Sequence, residues 1–196
     1  MSAFVITGTD TGIGKTVFSA MLTLALGAQY WKPVQSGVSD GIDTRTVQNL
    51  TKLPDDRFLP ERYILSEPLS PHRAAEIDGI EISLDKLTPP ETDEILLIEG
   101  AGGLMVPLTR KNLQINLFKR WNLPVILCAR TGLGTINHTL LSLEALWNRK
   151  IPVHGVAFIG DEVEDTMETI AELSGTKILG RMPWLHDRSE ERRVGK

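Results

Sequence analysis

Residues 8–16, GTDTGIGKT, constrain the fold more than any other part of this sequence. A short apolar run, AFVI, precedes them, and a helix-like run begins at Val17. Strand, glycine-rich loop and helix in this order are typical of a phosphate-binding loop, whose glycines let backbone N–H groups curl around phosphate oxygens at a helix N-terminus. The loop has one residue more between its glycines than the pattern GxxxxGK[ST]. The alternative is a glycine-rich turn with a surface lysine, but the strand before the loop and the helix after it match the context that the phosphate-binding motif requires.

Two side chains of this loop carry the predicted chemistry. Lys15 is expected to place a positive charge against the β- and γ-phosphates of a nucleotide. Thr16 is expected to offer its hydroxyl to Mg²⁺, which at nucleotide sites takes one or two protein oxygens and keeps several waters. The predicted nucleotide-binding residues of the loop are Thr9, Asp10, Thr11, Gly12, Ile13, Gly14, Lys15 and Thr16.

Composition narrows the class of partner. The chain has 196 residues, of which 41% are hydrophobic, and this is enough to bury a core in one domain, predicted over residues 1–185. A net charge of −4 gives no attraction to nucleic acid or an anionic membrane, so a small molecule is the expected partner. No apolar run is long enough for a membrane span and no signal peptide is recognisable. With Cys128 as its single cysteine, the chain is expected to be cytoplasmic.

Apolar runs and helix-like segments alternate along the chain. The predicted strands are residues 3–6, 29–33, 94–98, 124–129, 154–159 and 177–179, and residues 54–71, which contain several prolines, are predicted to be irregular. The predicted fold class is therefore α/β, a doubly wound, mostly parallel sheet with helices on both faces, like that of P-loop NTPases. The charged residues 186–196 are expected to be a disordered or non-native tail.

Three groups of residues outside the loop are candidates for binding or catalysis. Glu99 ends a buried strand, where an unpaired carboxylate is costly, so Glu99, Asp43 and Thr16 are predicted to hold Mg²⁺. The alternative is that Glu99 caps the glycine turn that follows it. Lys32 and Ser36 lie near the carboxyl end of the second strand, where open α/β sheets bind their ligands, although an ordinary solvated lysine would also fit. The third group, Gly134, Thr135, Ile136 and Asn137, forms a helix entrance whose N–H groups could bind a carboxylate, or an ordinary N-cap.

Five motifs together resemble the dethiobiotin synthetase family. They are GTDTGIGKT, KPVQSG, PLSPHRAA, EGAGG followed by a Pro-Leu pair, and LGTINHTLL, and the similarity runs in order from Gly8 to about Leu185. The resemblance implies ATP-dependent closure of a cyclic urea from 7,8-diaminopelargonate and CO₂. One amine would take up CO₂ as a carbamate, ATP would phosphorylate the carbamate, and the second amine would displace phosphate.

The resemblance also implies a role for each candidate residue. Thr11, Lys15, Lys32 and Ser36 would contact the diamine or its carbamate, the first three as catalytic residues. Thr16, Asp43 and Glu99 would surround Mg²⁺, and Glu99 and Gly102 would lie close to the nucleotide phosphates. Pro183, Trp184 and Leu185 would belong to the nucleotide site. The protein would be a homodimer in which residues 134–137 of one subunit bind the substrate carboxylate in the other.

Two departures from the family pattern concern the base of the nucleotide. The family commonly has an adenine-reading asparagine after the strand VHGVAFI, where this chain has Gly160, and its C-terminal portion is shortened or replaced here. The alternative function is a nucleotide-dependent switch of the partitioning-ATPase type, which shares the fold. Those proteins usually carry an extra lysine near the start of the loop, whereas positions 9–11 here are Thr, Asp and Thr.

Overall fold

A computed structural model describes residues 2–39 and 41–184 of the chain. Its strands are β1 (Ala3–Gly8), β2 (Gln29–Trp31), β3 (Val34–Ser36), β4 (Phe58–Leu59), β5 (Tyr63–Leu65), β6 (Leu96–Gly103), β7 (Val125–Arg130), β8 (Val153–Ile159) and β9 (Ile178–Met182). Its α-helices are α1 (Lys15–Leu26), α2 (Asp43–Thr51), α3 (Pro71–Ile77), α4 (Gln114–Trp121), α5 (Thr135–Asn148) and α6 (Glu164–Ser174). Short 3-10 turns at Asp55–Arg57 and Leu84–Lys86 complete the described elements.

Seven strands form one parallel sheet in the order β4-β2-β6-β1-β7-β8-β9. Helix α1 packs on one face, where Phe18 joins Ile6 and Leu97, and α5 and α6 pack on the other, where Leu143 and Ile170 join other sheet residues. The predicted fold class, a doubly wound parallel α/β sheet with helices on both faces, is therefore confirmed. Strands β3 and β5 form a separate parallel pair.

The strand order brings distant motifs to one edge of the sheet. Strand β6 lies between β1 and β2, so that Ile6 pairs with Glu99 and Trp31 pairs with Ile98. In a parallel sheet the carboxyl ends of all strands lie at the same edge. The glycine loop after β1, Lys32 after β2 and the glycines that end β6 therefore meet at this edge.

The structure differs from the sequence-based expectation at several strands, and β3, for example, forms at residues 34–36, which were not predicted as a strand. Residues 54–71 contain β4 and β5, which have two and three residues, too few for apolar periodicity to be recognised between prolines. Strand β6 continues past the predicted residue 98 to Gly103, because Gly103 still pairs with Gly8. Among the described residues, no helix combines the length and the apolar character that crossing a membrane requires.

Candidate active site

The loop between β1 and α1 has the backbone that its glycines predict. Gly12 and Gly14 have φ values of 68° and 93°, in the left-handed region that glycine adopts without strain. The side chain of Ile13 is buried in the core against the α1 face of the sheet, so Ile13 can offer only its backbone to a ligand. The ammonium of Lys15 donates to the carbonyl of Asp10 at 3.0 Å across the loop. Lys15, the first residue of α1, thus links the helix N-terminus to the backbone of the loop.

A cavity of about 470 Å³ opens beside this loop at the carboxyl edge of the sheet. Ten of the predicted catalytic, substrate, nucleotide and metal residues line it: Thr11, Gly12, Gly14, Lys15, Thr16, Lys32, Ser36, Asp43, Glu99 and Gly102. Residues 68–71, from the PLSPHRAA motif, form another part of the wall. Four of the five motifs that carry the family resemblance therefore contribute to one cavity.

Lys32 lies between the two predicted magnesium-binding carboxylates. Its ammonium donates to Asp43 Oδ2 at 2.6 Å, to Glu99 Oε1 at 3.1 Å and to the carbonyl of Gly100 at 3.1 Å. Lys32 and Glu99 are buried, whereas the side chain of Asp43 is 30% exposed. The structure thus favours a paired lysine over the solvated one that the sequence also allowed.

Glu99 accepts hydrogen bonds from three hydroxyl groups as well. Thr16 Oγ1 donates to Oε1 at 3.0 Å, and Ser19 Oγ and Tyr30 OH donate to Oε2 at 2.8 and 3.0 Å. Sequence reasoning found Thr16 from the loop motif but missed Ser19 and Tyr30. The spacing of Ser19, three residues after Thr16 on one helix face, was the available signal for Ser19.

The two lysines of the cavity have pKa values shifted in opposite directions. Burial, together with the nearby charge of Lys32, lowers the pKa of Lys15. For Lys32, burial acts to lower the pKa, but the negative charges of Glu99 and Asp43 outweigh it and the pKa is raised. Burial and the charge of Glu99 raise the pKa of Tyr30 well above its usual value, so Tyr30 remains a hydrogen-bond donor to that carboxylate.

The oxygen atoms around Lys32 suit Mg²⁺. Magnesium prefers hard oxygen ligands and is usually held by one or two carboxylates together with phosphates and water. The cavity supplies the carboxylates of Glu99 and Asp43 and the hydroxyl of Thr16, and a cation, the Lys32 ammonium, already bridges the two carboxylates. Within the described part of the chain, no three His, Cys, Asp or Glu side chains cluster as a self-sufficient metal site. The donor set therefore fits a metal that is completed by a bound nucleotide.

Gly102 occupies a narrow part of the cavity wall. Its φ is 73°, and an added Cβ would lie 2.9 Å from Thr11 Oγ1 and 3.0 Å from a methyl group of Val106. Gln114, which sequence reasoning missed, holds this strand by accepting from the Ala101 N–H at 2.6 Å and donating to the Gly103 carbonyl at 3.1 Å. A side chain at position 102 would therefore narrow the space that faces the loop.

Other predicted site residues lie outside this cavity in the described chain. Thr9 and Asp10 line a neighbouring cavity of about 490 Å³ that also contacts Thr11. At residues 134–137, Thr135 is buried, Ile136 packs in the core, and only the ends of the segment, Gly134 and Asn137, are exposed. The Thr135 N–H donates to the Gly132 carbonyl at 3.1 Å, so fewer N–H groups are free here than the sequence suggested.

Of the three predicted nucleotide-site residues 183–185, Trp184 lies near Gly160. A Cβ at Gly160 would be 3.4 Å from Trp184 Nε1 and would collide with Thr131 Oγ1. Pro183 directly precedes Trp184, which is 47% exposed. Leu185 and the predicted tail at 186–196 lie outside the described residues.

The fold and the cavity together define a P-loop nucleotide-binding protein with an acidic, lysine-bridged site. Comparison with known proteins narrows this class. The chain matches the family described as "AAA domain" over residues 2–192. It is 60% identical over 182 residues to the ATP-dependent dethiobiotin synthetase BioD of Brucella anthropi, an alignment that covers 93% of this chain and 86% of that protein. The chain belongs to the dethiobiotin synthetase family and is an ATP-dependent enzyme of the ligase class.

Solved structures with the same fold include proteins of other functions. The MinD cell division protein of Aquifex aeolicus is 14% identical with a TM-score of 0.56, covering 100% of this chain and 87% of that one. A ParA family ATPase from Chlorobium tepidum is 12% identical with a TM-score of 0.52, covering 98% of this chain and 89% of that one. At such identities the likeness shows the fold alone. It therefore gives the partitioning-ATPase alternative no functional support.

Proposed function

We propose that this protein forms dethiobiotin from 7,8-diaminopelargonate and CO₂ with ATP, in the cytoplasm. An amine of the substrate adds to CO₂ and loses a proton to give a carbamate. A carbamate oxygen then attacks the γ-phosphorus and ADP leaves, giving a carbamic-phosphoric anhydride. The second amine attacks the carbamoyl carbon and loses a proton, phosphate leaves and the urea ring closes. The observation that carries the proposal is the cavity in which the glycine loop, two lysines and two carboxylates meet.

The lysines would offset the charge that gathers during phosphoryl transfer. A carbamate that approaches a triphosphate brings several negative charges together, and fixed cations lower the cost of doing so. Lys15, at the start of α1, is proposed to act on the phosphates, and Lys32, which lies between the two carboxylates, on the carbamate. Thr11 and Ser36 would orient the substrate. The hydroxyl of Ser36 is buried without a hydrogen-bond partner among the described residues, which supports this role.

Mg²⁺ would be held by Thr16, Asp43 and Glu99. When bound with ATP, the metal would neutralise charge on the β- and γ-phosphates. Lys32 now donates to both carboxylates, so it would have to yield one or both of them when the metal binds. An ammonium on a flexible four-carbon side chain can make such a movement. Lys32 would then be available to the carbamate in the same cavity.

The active site is proposed to be completed by a second subunit. Gly134 and Asn137 face solvent instead of the cavity of their own chain, consistent with binding the substrate carboxylate in a partner. Three apolar side chains near this end of the molecule are 49%, 108% and 56% exposed: Met105, Leu133 and Leu141. Met105 and Leu141 also line the neighbouring cavity beside Asp10. An exposed apolar group of this kind is typical of a subunit interface.

The decisive experiment measures phosphate release together with the mass of the product. Release that requires both the diamine and bicarbonate, with a cyclic urea detected by mass, is expected for the synthetase. Release that needs neither, but is stimulated by a protein partner, would identify a switch ATPase instead.

Lys15→Ala tests the loop in the same assay. Loss of a fixed cation that faces developing phosphoryl charge should reduce turnover at least about a hundredfold. Lys119→Ala, an exposed lysine on α4 away from the cavity, is the matched control and should retain activity. Near-normal turnover of Lys15→Ala would remove the phosphate role from this loop.

A further inference from the structure

The two oxygens of the Glu99 carboxylate have different environments. Oε1 accepts from Thr16 Oγ1 and from the Lys32 ammonium, both of which line the cavity. Oε2 accepts only from Ser19 and Tyr30 among the described residues, at 2.8 and 3.0 Å. One oxygen is thus directed to the active site, and the other is directed into the protein.

Ser19 and Tyr30 come from two elements on either side of the carboxylate. Ser19 lies on α1, one turn after Thr16, and Tyr30 lies on β2, which pairs with β6 next to Glu99. Both residues are fully buried. Neither lines the active-site cavity, so neither is placed to touch a nucleotide or a diamine. Any effect that they have on the reaction must pass through Glu99.

We propose that Tyr30 and Ser19 are positioning residues that lock Glu99 in the orientation required for magnesium binding. The terminal torsion of a glutamate is broad, so the carboxylate of an unrestrained Glu99 could turn within its site. Two donors on Oε2 fix that torsion and leave Oε1 directed at Thr16 and the Lys32 ammonium. The inference rests on the proposed function, because it takes Glu99 as a ligand of the metal that accompanies ATP.

A purely structural role makes a different prediction. If Tyr30 and Ser19 only satisfy a buried carboxylate, their loss lowers stability and leaves the affinity for the metal unchanged in the folded protein. If they position Glu99, their loss weakens metal binding even where the protein remains folded. Groups that orient metal ligands typically change metal affinity by about 10–100-fold when they are removed.

The experiment measures the affinity for AMP-PNP, a non-hydrolysable ATP analogue, once with EDTA and once with saturating Mg²⁺. The dissociation constant in EDTA divided by the dissociation constant in Mg²⁺ isolates the contribution of the metal to nucleotide binding. Tyr30→Phe and Ser19→Ala should each reduce this ratio about tenfold while the value in EDTA remains that of the parent protein. Turnover at limiting Mg²⁺ should fall similarly and recover at excess Mg²⁺. Ser19→Ala removes a single oxygen atom and is therefore the variant that tests the proposal if Tyr30→Phe does not fold.

Tyr63→Phe is the matched control. Tyr63 is also a buried tyrosine, and its hydroxyl accepts from the Ser83 N–H at 2.9 Å, outside the cavity. This variant should retain the full metal-dependent ratio. If Tyr30→Phe and Ser19→Ala retain it as well, the positioning role is overturned. Glu99→Gln separates the two proposals. If this variant keeps the full ratio, Glu99 is not a ligand of the metal and the proposed magnesium site is wrong. If Glu99→Gln loses the ratio while Tyr30→Phe and Ser19→Ala keep it, only the positioning role is contradicted.

Discussion

Lys32 holds two acidic side chains together that would otherwise repel each other. Its ammonium lies 2.6 Å from Asp43 Oδ2 and 3.1 Å from Glu99 Oε1. Removing one partner of a buried ion pair leaves an uncompensated charge and typically costs roughly 3–5 kcal/mol. Because the Asp43 side chain is 30% exposed and Glu99 keeps three hydroxyl donors, we expect the loss of the Lys32 ammonium to destabilise the protein by an amount at the lower end of this range. Lys32 thus serves the metal-free protein as well as the proposed reaction.

Lys32→Ala should therefore damage two properties by different amounts. We expect turnover with the diamine to fall about a hundredfold, because a cation beside the carbamate is lost. Affinity for the nucleotide should change by less than about tenfold, or 1.4 kcal/mol. Steady-state kinetics and nucleotide titration measure the two effects, with a denaturant unfolding curve to show that the variant is folded and Lys111→Ala as an exposed control. Equal losses in both would move Lys32 to the nucleotide side of the cavity.

Single residues of the candidate site could be predicted when a motif or a strand end marked them. Lys15 and Thr16 follow from the loop pattern, and Lys32 and Glu99 from their places at strand ends. Tyr30 could not be predicted, because a tyrosine within an apolar strand is typical of a core residue. Its role depends on the pairing of β2 with β6, which brings its hydroxyl to Glu99 across 69 residues of sequence.

At the scale of elements, the backbone at the end of β8 bears on the proposed recognition of the nucleotide base. Gly160 follows β8 with a φ of 136°, and its N–H already donates to the Met182 carbonyl at 3.0 Å. Its carbonyl accepts from Arg181 Nη1 at 2.9 Å. The position therefore offers neither a side-chain amide nor an uncommitted backbone N–H to a base.

We expect this end of β8 to give weak selection among nucleoside triphosphates. A hydrogen-bonding amide is worth about 1–3 kcal/mol when its absence leaves a buried group unpaired, and that discrimination is missing here. ATP, GTP and CTP should support turnover within a hundredfold of one another in kcat/KM. Gly160→Asn would not be a clean test, because its side chain would collide with Thr131 Oγ1 and the backbone would be strained. A preference for ATP above a hundredfold would show that other residues read the base.

The predictability of elements followed their length and apolar content. Strand β7 was predicted from an unbroken apolar run, since a parallel strand is covered on both faces. Strands β4 and β5 were missed because each is too short for a pattern and is stabilised by its partner, β2 or β3. The glycine end of β6 was missed because glycine has low strand propensity, whereas pairing with Gly8 extends the strand.

At the scale of the whole molecule, the strand order could not be derived from the sequence pattern. Alternating strands and helices indicate a parallel sheet, but not that β6 enters between β1 and β2. That insertion is what places Glu99 beside both Thr16 and Lys32. The proposed role of the helix entrance at residues 134–137 belongs to the same scale, because it requires a second copy of the chain.

If the active site is shared between two subunits, as proposed above, activity should be recovered from two inactive variants. Lys15→Ala removes the loop cation, and Asn137→Ala removes an exposed side chain of the helix entrance. When the two are unfolded and refolded together in equal amounts, random pairing puts about half of the molecules in mixed dimers. If each site uses the loop of one subunit and the entrance of the other, one site of every mixed dimer collects both defects and the other has none. About a quarter of all sites should then be active.

Sites confined to one chain would give the opposite result, because every site would keep one defect whatever its partner. The assay is diamine-dependent phosphate release, with each variant refolded alone as the control and the amount of mixed dimer measured by mass. Asn137→Ala must itself be inactive, since a residual activity would hide the recovery. Absence of recovery despite confirmed mixed dimers would place residues 134–137 outside the partner's site. The exposed Leu133 beside this entrance would then need another role than an interface contact.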